Sequence, residues 1–363
     1  MLAVQLCPND HPPFLDVCMG HARALALCGY RVRTIFFAST GRAASTGRAA
    51  STGRADSQSL DTRESGESTE VVAAENVADV LAERPDLLVT HRYRAYRAGI
   101  RLARRLGIVE HVAVAHEFGF FARARRRWRR RLLGDGGCRF AGVSDAVAED
   151  LARCRVAAPL VLPNPLAADR LRGNLRSRTG ARAELGLSAN DFVIGVVGRL
   201  HPKKDPGRAL RAFGRFRQAH PRARLVFVGD GELRPDLERA AGAGVTFAGF
   251  RADGRELLTA FDVLLACATE REAFGLALLE ALAADVPVIC ADRPGPRFVL
   301  GDCATYFDGD DELLRALQSA AEGRLDGDRL ARPARIERLF SVEALADRYR
   351  SALATPVGVH GLC

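Results

Sequence analysis

The stretch Val263-Leu-Leu-Ala266-Cys-Ala-Thr269-Glu-Arg-Glu272-Ala-Phe-Gly275-Leu276-Ala-Leu-Leu-Glu280-Ala-Leu-Ala283-Ala-Asp-Val286-Pro-Val-Ile-Cys-Ala291 holds a strand, a helix and a second strand in one run. Two short apolar runs, 263–266 and 286–291, have the length and residue types of buried strands. Between them Leu276, Leu279 and Ala283 recur at helical spacing, so a helix is expected to start near Gly275 and end near 284. A strand that returns through a helix pairs in parallel with its predecessor.

Working outward, the same rhythm continues on both sides. Strands are expected at 192–197, 225–228 and 245–248, and helices at about 207–219, 233–241, 253–260 and 311–321. This alternation predicts a doubly wound parallel sheet with its ligand at the strands' C-terminal ends. The first half shows the rhythm again. Leu2–Leu6 reads as a strand ending at Pro8, followed by a helix closed near Gly29, then a strand over Arg31–Phe37. A helix is expected from Val71 to Glu83, with strands at Asp86–Thr90, Val112–Ala115 and Phe140–Val143. A further helix follows Ser144, and Leu160-Val-Leu162 runs into the stop Pro163-Asn-Pro165.

The expected fold class is therefore α/β, with two facing Rossmann-like domains at 1–170 and 191–341. The polar, Arg/Gly-rich stretch 171–190 reads as a linker. Residues 342–363 read as a C-terminal helix and tail crossing back onto the first domain. Residues 38–70 break the rhythm. Ala38-Ser-Thr-Gly-Arg-Ala43 occurs three times in succession and is followed by a Ser/Thr/Glu-rich run. With no large apolar residue such a repeat builds no core, and a flexible surface loop is expected.

A chain of 363 residues suits two cores rather than one. No apolar run reaches the length of a membrane span, and the N-terminal stretch lacks the basic region of a secretory leader. The nine cysteines show no C-x-x-C pair, so neither a metal site nor a redox motif is expected, and a reducing cytoplasm suits them. Residues 1–180 carry 28 Arg and no Lys against 18 acidic residues, whereas the remainder carries 25 basic against 26 acidic. The first half should therefore face an anionic partner.

Three features can carry chemistry. Gly198-Arg199-Leu-His-Pro-Lys-Lys204 follows the strand 192–197. Glycine lets the backbone approach a ligand, and Arg199 with Lys204 can grip a diphosphate; a solvated turn would use the same residues. Gly229, in Val228-Gly-Asp-Gly231, is a second such turn, equally compatible with simple βα geometry. The strongest is Glu272 and Glu280 around Gly275. The helix N-terminus at Phe274-Gly275-Leu276 can hold an anion, and Glu280 among leucines makes an ordinary surface charge implausible.

Together these residues resemble family 4 glycosyltransferases, whose fold is called GT-B. The resemblance rests on G-R-L-x-P-x-K, V-G-D-G, Phe247-x-Gly-Phe250, E-x7-E and Val286-Pro-Val-Ile289. Gly142-Val-Ser-Asp-Ala146, Leu162-Pro-Asn164 and Phe340-Ser341 with Tyr349 extend it to about two-thirds of the chain. It implies a retaining transfer from a UDP- or GDP-sugar without a metal or other cofactor. It implies phosphate contacts from Arg199 and Lys204, ribose held by Glu280 and sugar hydroxyls held by Glu272. Gly198, Gly229, Phe250 and the backbone at 274–276 belong to the same donor site, and His116 matches a histidine near the transferred sugar. Two positions depart from the pattern. Asn9-Asp-His-Pro-Pro-Phe14 stands in place of a glycine-rich loop, and Phe298 stands where many relatives have glutamate.

Finally, Arg125, Arg126, Arg127, Trp128, Arg129, Arg130 and Arg131 form a basic helix with Trp128, Leu132 and Phe121 near one side. That pattern suits an anionic membrane surface or acceptor, at about 1 kcal/mol per basic residue. The expected function is sugar transfer to a glycolipid or polysaccharide of lipopolysaccharide or capsule type. The expected place is the cytoplasm, peripherally on the inner face of the cytoplasmic membrane. A GT-B-fold nucleotide-sugar epimerase and an arginine-rich nucleic-acid-binding protein are the rival readings; the latter leaves the glutamate pair unexplained, and nucleic acid is not the expected partner.

Overall fold

The computed structural model describes residues 1–10, 14–37, 60–62, 67–72, 77, 81–135, 137–269, 272–325 and 327–354. Two compact units divide the chain. The first comprises Met1–Val143, Val147–Pro165 and Val342–Cys363, the second Ser144–Ala146 and Leu166–Ser341. Both are α/β, as the strand–helix rhythm predicts.

In chain order the first half contains β1 (Leu2–Cys7), α1 (Phe14–Leu27), β2 (Arg31–Phe37), β3 (Leu60–Thr62), β4 (Glu67–Val72) and β5 (Leu87–His91). Then come α2 (Arg92–Leu106), β6 (Glu110–Ala115), α3 (Ala124–Leu133), β7 (Arg139–Gly142), α4 (Asp145–Arg153) and β8 (Leu160–Val161). One sheet results, in the order β3-β4-β2-β1-β5-β6-β7-β8, with only β3 antiparallel to its neighbour. Leu2, Val4 and Leu6 pack with Ile35, Phe37 and Leu88 beneath α2. That helix can lie close because of Gly99, where a Cβ would come within 2.5 Å of Thr90 Cγ2. Its outer face presents Arg94, Arg97 and Arg101 to solvent.

Two expectations are corrected here. The hexapeptide repeat lies outside the described residues, but the end of the expected 38–70 loop forms β3 and β4. β4 pairs with β2 from Arg33↔Ser68 to Phe37↔Val72. Its Thr69, Val71 and Val72 have strand-forming side chains, which the surrounding polar composition hid. β4 also takes the first two residues of the helix expected at 71–83. Most of the rest of that stretch is outside the described residues, and 81–83 are not helical.

The second unit contains α5 (Ala168–Asn174), α6 (Arg178–Glu184), β9 (Phe192–Val197), α7 (Pro206–Ala219), β10 (Ala223–Val228), α8 (Arg234–Ala240) and β11 (Val245–Gly249). It continues with β12 (Val263–Ala266), α9 (Leu276–Ala283), β13 (Val288–Ala291), α10 (Pro294–Leu300), β14 (Thr305–Phe307), α11 (Asp310–Ala321) and α12 (Arg332–Phe340). Its sheet is parallel, ordered β11-β10-β9-β12-β13-β14, and Ile194, Phe213, Phe227, Leu265, Ile289 and Phe307 fill one core. The helix expected at 253–260 is a 3-10 helix over Gly254–Ala260.

The expected linker is instead part of this unit. Arg182 of α6 is buried and donates to the carbonyls of Ala260 (3.1 Å), Ala189 (2.8 Å) and Asp191 (3.1 Å), and to the Asp262 carboxylate (2.7 Å). A guanidinium with five donors serves here as an internal staple, so an Arg-rich composition concealed a docked helix.

The last helix, α13 (Val342–Ala354), returns to the first unit and packs on α1. Tyr349 is fully buried with its hydroxyl 2.8 Å from His21 Nδ1, and Arg350 donates to Leu27 O at 2.8 Å.

Candidate active site

In the second unit the ends of β9 and β10 are zipped together before any ligand is considered. Gly198 N–H donates to Val228 O at 2.9 Å, and Leu200 N–H donates to Asp230 O at 2.9 Å. Gly198 and Gly229 have φ of 139° and 145°. A Cβ at Gly229 would stand 2.0 Å from Gly198 O, and one at Gly231 would stand 2.3 Å from Leu200 O. The glycines are thus required first for turn-on-turn packing, and that packing aims Arg199 outward. Arg199 is exposed and ion-pairs with none of the described acids.

The 3-10 turn Pro202–Lys204 carries the next cation. Thr269 N–H donates to Lys203 O at 2.9 Å, which ties this turn to the end of β12. Asp205, at φ 41°, ends the turn and caps α7 by accepting from Arg208 N–H at 3.1 Å. Held from both sides, the Lys204 ammonium forms an ion pair with the Glu272 carboxylate. The two residues predicted to meet a phosphate and a sugar therefore meet each other. Gly295 closes against this point, since a Cβ there would lie 2.2 Å from Glu272 O. The Cys290 thiol, at the end of β13, is pushed up to about 12 by burial, with Glu272 adding to the shift and Lys204 opposing it.

α9 begins at Gly275, whose φ of 92° and ψ of 70° only glycine adopts readily. Its first internal bond runs from Leu278 N–H to Gly275 O, so the amides of Leu276 and Ala277 have no partner within the helix. Glu280 follows one turn on and is buried among Leu278, Leu279 and Ala281. Phe274 offers only backbone here; its ring is buried against Phe298 and Phe340. Phe298 is part of that aromatic cluster. Phe250, after β11, is 67% exposed and free to stack on a planar ligand.

In the first unit His116 ends a hydrogen-bonded chain. Gln5 Nε2 donates to Cys18 O (2.9 Å) and Thr34 Oγ1 (3.1 Å), which turns Gln5 Oε1 toward His91 Nε2 at 2.8 Å. An amide oxygen only accepts, so His91 carries its proton on Nε2. Its Nδ1 must then accept from His116 Nε2, 2.8 Å away. Burial holds both histidines well below the ordinary imidazole range, and the Arg92 guanidinium beside them acts in the same direction. His116 is therefore a neutral ring at pH 7.

The family model for "Glycosyl transferases group 1" matches residues 177–332. The second unit carries a group 1 glycosyltransferase domain. A D-inositol 3-phosphate glycosyltransferase of Nocardia farcinica is 33% identical over 217 residues, 52% of this chain and 47% of that one. A GDP-mannose-dependent alpha-(1-6)-phosphatidylinositol dimannoside mannosyltransferase of Mycobacterium tuberculosis is 34% identical over 139 residues, 37% of this chain and 36% of that one. The matches thus span about half or less of these curated relatives. A crystal structure of Anabaena Alr3699/HepE in complex with UDP and glucose aligns over 98% of this chain and 100% of that one, with a TM-score of 0.77 at 18% identity. That likeness is one of fold.

The group 1 domain contains Arg199, Lys204, Glu272 and Glu280, whereas His116 and the arginine helix lie outside it. The structure also corrects the reading of that helix. Arg126 donates to Phe120 O (3.0 Å), Arg127 donates to Phe121 O (3.2 Å), and Arg130 is bound by Asp135 (2.9 Å) and Cys154 O (2.9 Å). These three hold α3 down, and Phe121 is core. Arg125, Arg131, Trp128 and Leu132 are exposed, and Arg129 is half-buried.

Sequence reasoning missed Gln5 and His91, which orient His116, and His21 and Arg92 beside them; Tyr349 was read only as part of the closing helix. His91 ends its strand as His116 does, a signal that was there to use. Cys7, Cys18 and His91, far apart in sequence, bring ligand atoms within 4.8 Å of one another, a cluster no spacing rule would find.

Proposed function

We propose that the chain moves a glycosyl group, with retention, from a UDP- or GDP-sugar to a hydroxyl of a glycolipid or polysaccharide acceptor. The observation that carries this reading is the Lys204–Glu272 pair held at the mouth of a glycine-started helix. An approaching diphosphate competes with Glu272 for the ammonium, and Glu272 is released to accept hydrogen bonds from sugar hydroxyls. Arg199, Lys204 and the free amides of α9 take up the charge that develops on the departing diphosphate. Glu280 accepts from the ribose hydroxyls and Phe250 stacks on the base. His116, neutral and oriented by His91, acts as a hydrogen-bonding group toward the transferred sugar.

The acceptor is of lipopolysaccharide or capsule kind and is met at the inner face of the cytoplasmic membrane, where the exposed Trp128 and arginines of α3 give a peripheral foothold. Among the described residues no helix is long and apolar enough to cross a membrane. Screening UDP- and GDP-sugars should reveal nucleotide release that requires an acceptor. Conversion of the donor sugar without any acceptor would instead identify an epimerase. Glu280→Ala should abolish most nucleotide affinity, and unchanged affinity would remove the ribose assignment.

A further inference from the structure

In the first unit, α2 and α3 enclose a groove of about 520 Å³ whose floor is reached by Pro8, Arg92 and Glu117. These follow β1, β5 and β6, so the groove opens at the strands' C-terminal ends, where a doubly wound sheet binds its ligands. Eight arginines line it against the single carboxylate of Glu117. Some are occupied, Arg126 by backbone carbonyls and by the Tyr93 ring at 4.0 Å. Arg97, Arg101 and Arg129 ion-pair with none of the described acids.

Both helices also break the usual charge rule. Neither has an acidic residue in its first turn or a side-chain cap, and Arg92, Arg94, Arg125 and Arg126 occupy those turns instead. Cations at a helix N-terminus oppose the dipole unless an anion lies beside them. Arg92 adds a third anomaly. It opens α2 at φ 63°, a left-handed conformation unfavourable for arginine, with its guanidinium 4.3 Å over the Phe14 ring and a buried Nε without a partner. Uncompensated charge, two helix N-termini and a strained arginine converge on one concave site.

We propose that this groove seats the phosphoryl group of a phosphate-bearing acceptor, with Arg92, Arg97 and Arg129 as its principal contacts. This rests on the glycosyl-transfer reading for the word acceptor; phosphate binding itself does not. The phosphoryl group can belong to a free phosphorylated polyol or to a lipid headgroup.

The test is calorimetric titration of the full chain with inorganic pyrophosphate, beside sedimentation with phosphatidylcholine vesicles containing phosphatidic acid. Arg97→Gln/Arg129→Gln is compared with a control of equal charge, Arg315→Gln/Arg338→Gln, on the second unit's surface. The groove pair should weaken pyrophosphate binding about 10-fold or more while the control pair leaves it unchanged. Pyrophosphate binding that the groove pair loses, without vesicle binding, assigns a soluble acceptor; vesicle binding that pyrophosphate displaces assigns a headgroup. Pyrophosphate binding that the groove pair leaves unchanged belongs to the second unit and overturns the proposal. Binding of neither probe, or equal loss in both pairs, overturns the proposal. Acceptor-dependent UDP or GDP release in a protein that ignores both probes would leave the transfer reading standing alone. Probe binding without nucleotide binding would leave only the groove.

Discussion

Replacing Lys204 by Met and Glu272 by Gln should shift nucleotide affinity in opposite directions. Their ion pair is partly buried, with side chains 36% and 13% exposed, and contributes about 1 kcal/mol to folding. Neither variant should lose more than that in denaturant unfolding. Binding is another matter. A charge-assisted contact from Lys204 to a diphosphate, discounted for exposure, is worth about 1–1.5 kcal/mol, and Lys204→Met should weaken UDP or GDP about 5- to 12-fold. The Glu272 carboxylate competes for the same ammonium and repels the phosphates. A unit charge ~6 Å away in water costs about 0.7 kcal/mol, so Glu272→Gln should tighten the nucleotide roughly 3-fold. Sugar transfer by Glu272→Gln should nevertheless fall, because its carboxylate is then lost to the sugar. Calorimetry with UDP and GDP at fixed ionic strength reads the first effect, and a double-mutant cycle reads the coupling. If both single variants weaken the nucleotide equally, or neither changes it, Lys204 is not the phosphate contact and the pair is only structural.

Three further outcomes follow from the packing. Burial lowers the pKa values of His21 and His111 to about 3 each. Both are neutral when folded but protonate near 6.5 when unfolded, so stability present above pH 6.5 is lost as the pH falls toward 3. At pH 5.5 the loss should be about 1.4 kcal/mol per histidine, and equal urea midpoints at pH 7.5 and 5.5 would contradict it. Tyr349→Phe strands the buried His21 Nδ1 and should cost about 1–3 kcal/mol of unfolding free energy, freeing α13 from α1; proteolysis at the C-terminal helix measures the second effect. Gly229→Ala forces a Cβ against Gly198 O and should cost on the order of 1–3 kcal/mol, together with nucleotide affinity. An unchanged melting temperature would show that the two turns can part freely.

The legible parts of the chain are those where one physical rule acts alone. The β9-to-β13 alternation depends on apolar runs and helical spacing, and the sheet order follows from it. Gly198 and Gly229 are legible as tight turns at strand ends, and the close approach they permit is to each other's backbone. Arg182 shows why the linker was misread. A guanidinium that satisfies five partners in the interior has the same composition as one in solvent, and only the fold distinguishes them. β4 failed for a related reason, since polar strands at a sheet margin carry no alternation. The Gln5–His91–His116 chain could not be read at all. It joins three neighbouring strands by register, and register is invisible until β1, β5 and β6 are paired.

The excess charge of residues 1–180 resolves along the same line. A run such as Arg123–Arg131 looks uniform in sequence, yet its members have separate tasks. Arg126, Arg127 and Arg130 spend their donors on carbonyls and Asp135 and so fix α3 against Phe121 and Tyr93. Once these are docked, helical spacing leaves Arg125 and Arg129 at the groove wall opposite Arg97 and Arg101. Docking therefore concentrates like charges that a free helix would spread through solvent. A fold tolerates such an arrangement when a ligand returns the cost, which is why local charge rules fail at sites and hold elsewhere. The second unit, electrically balanced by sequence, ties most of its surface arginines to acids, as Arg208 is tied to Asp310 and Arg297 to Asp292. Arg199, exposed at the turn after β9 and paired with none of the described acids, is the guanidinium that the proposed diphosphate would meet there.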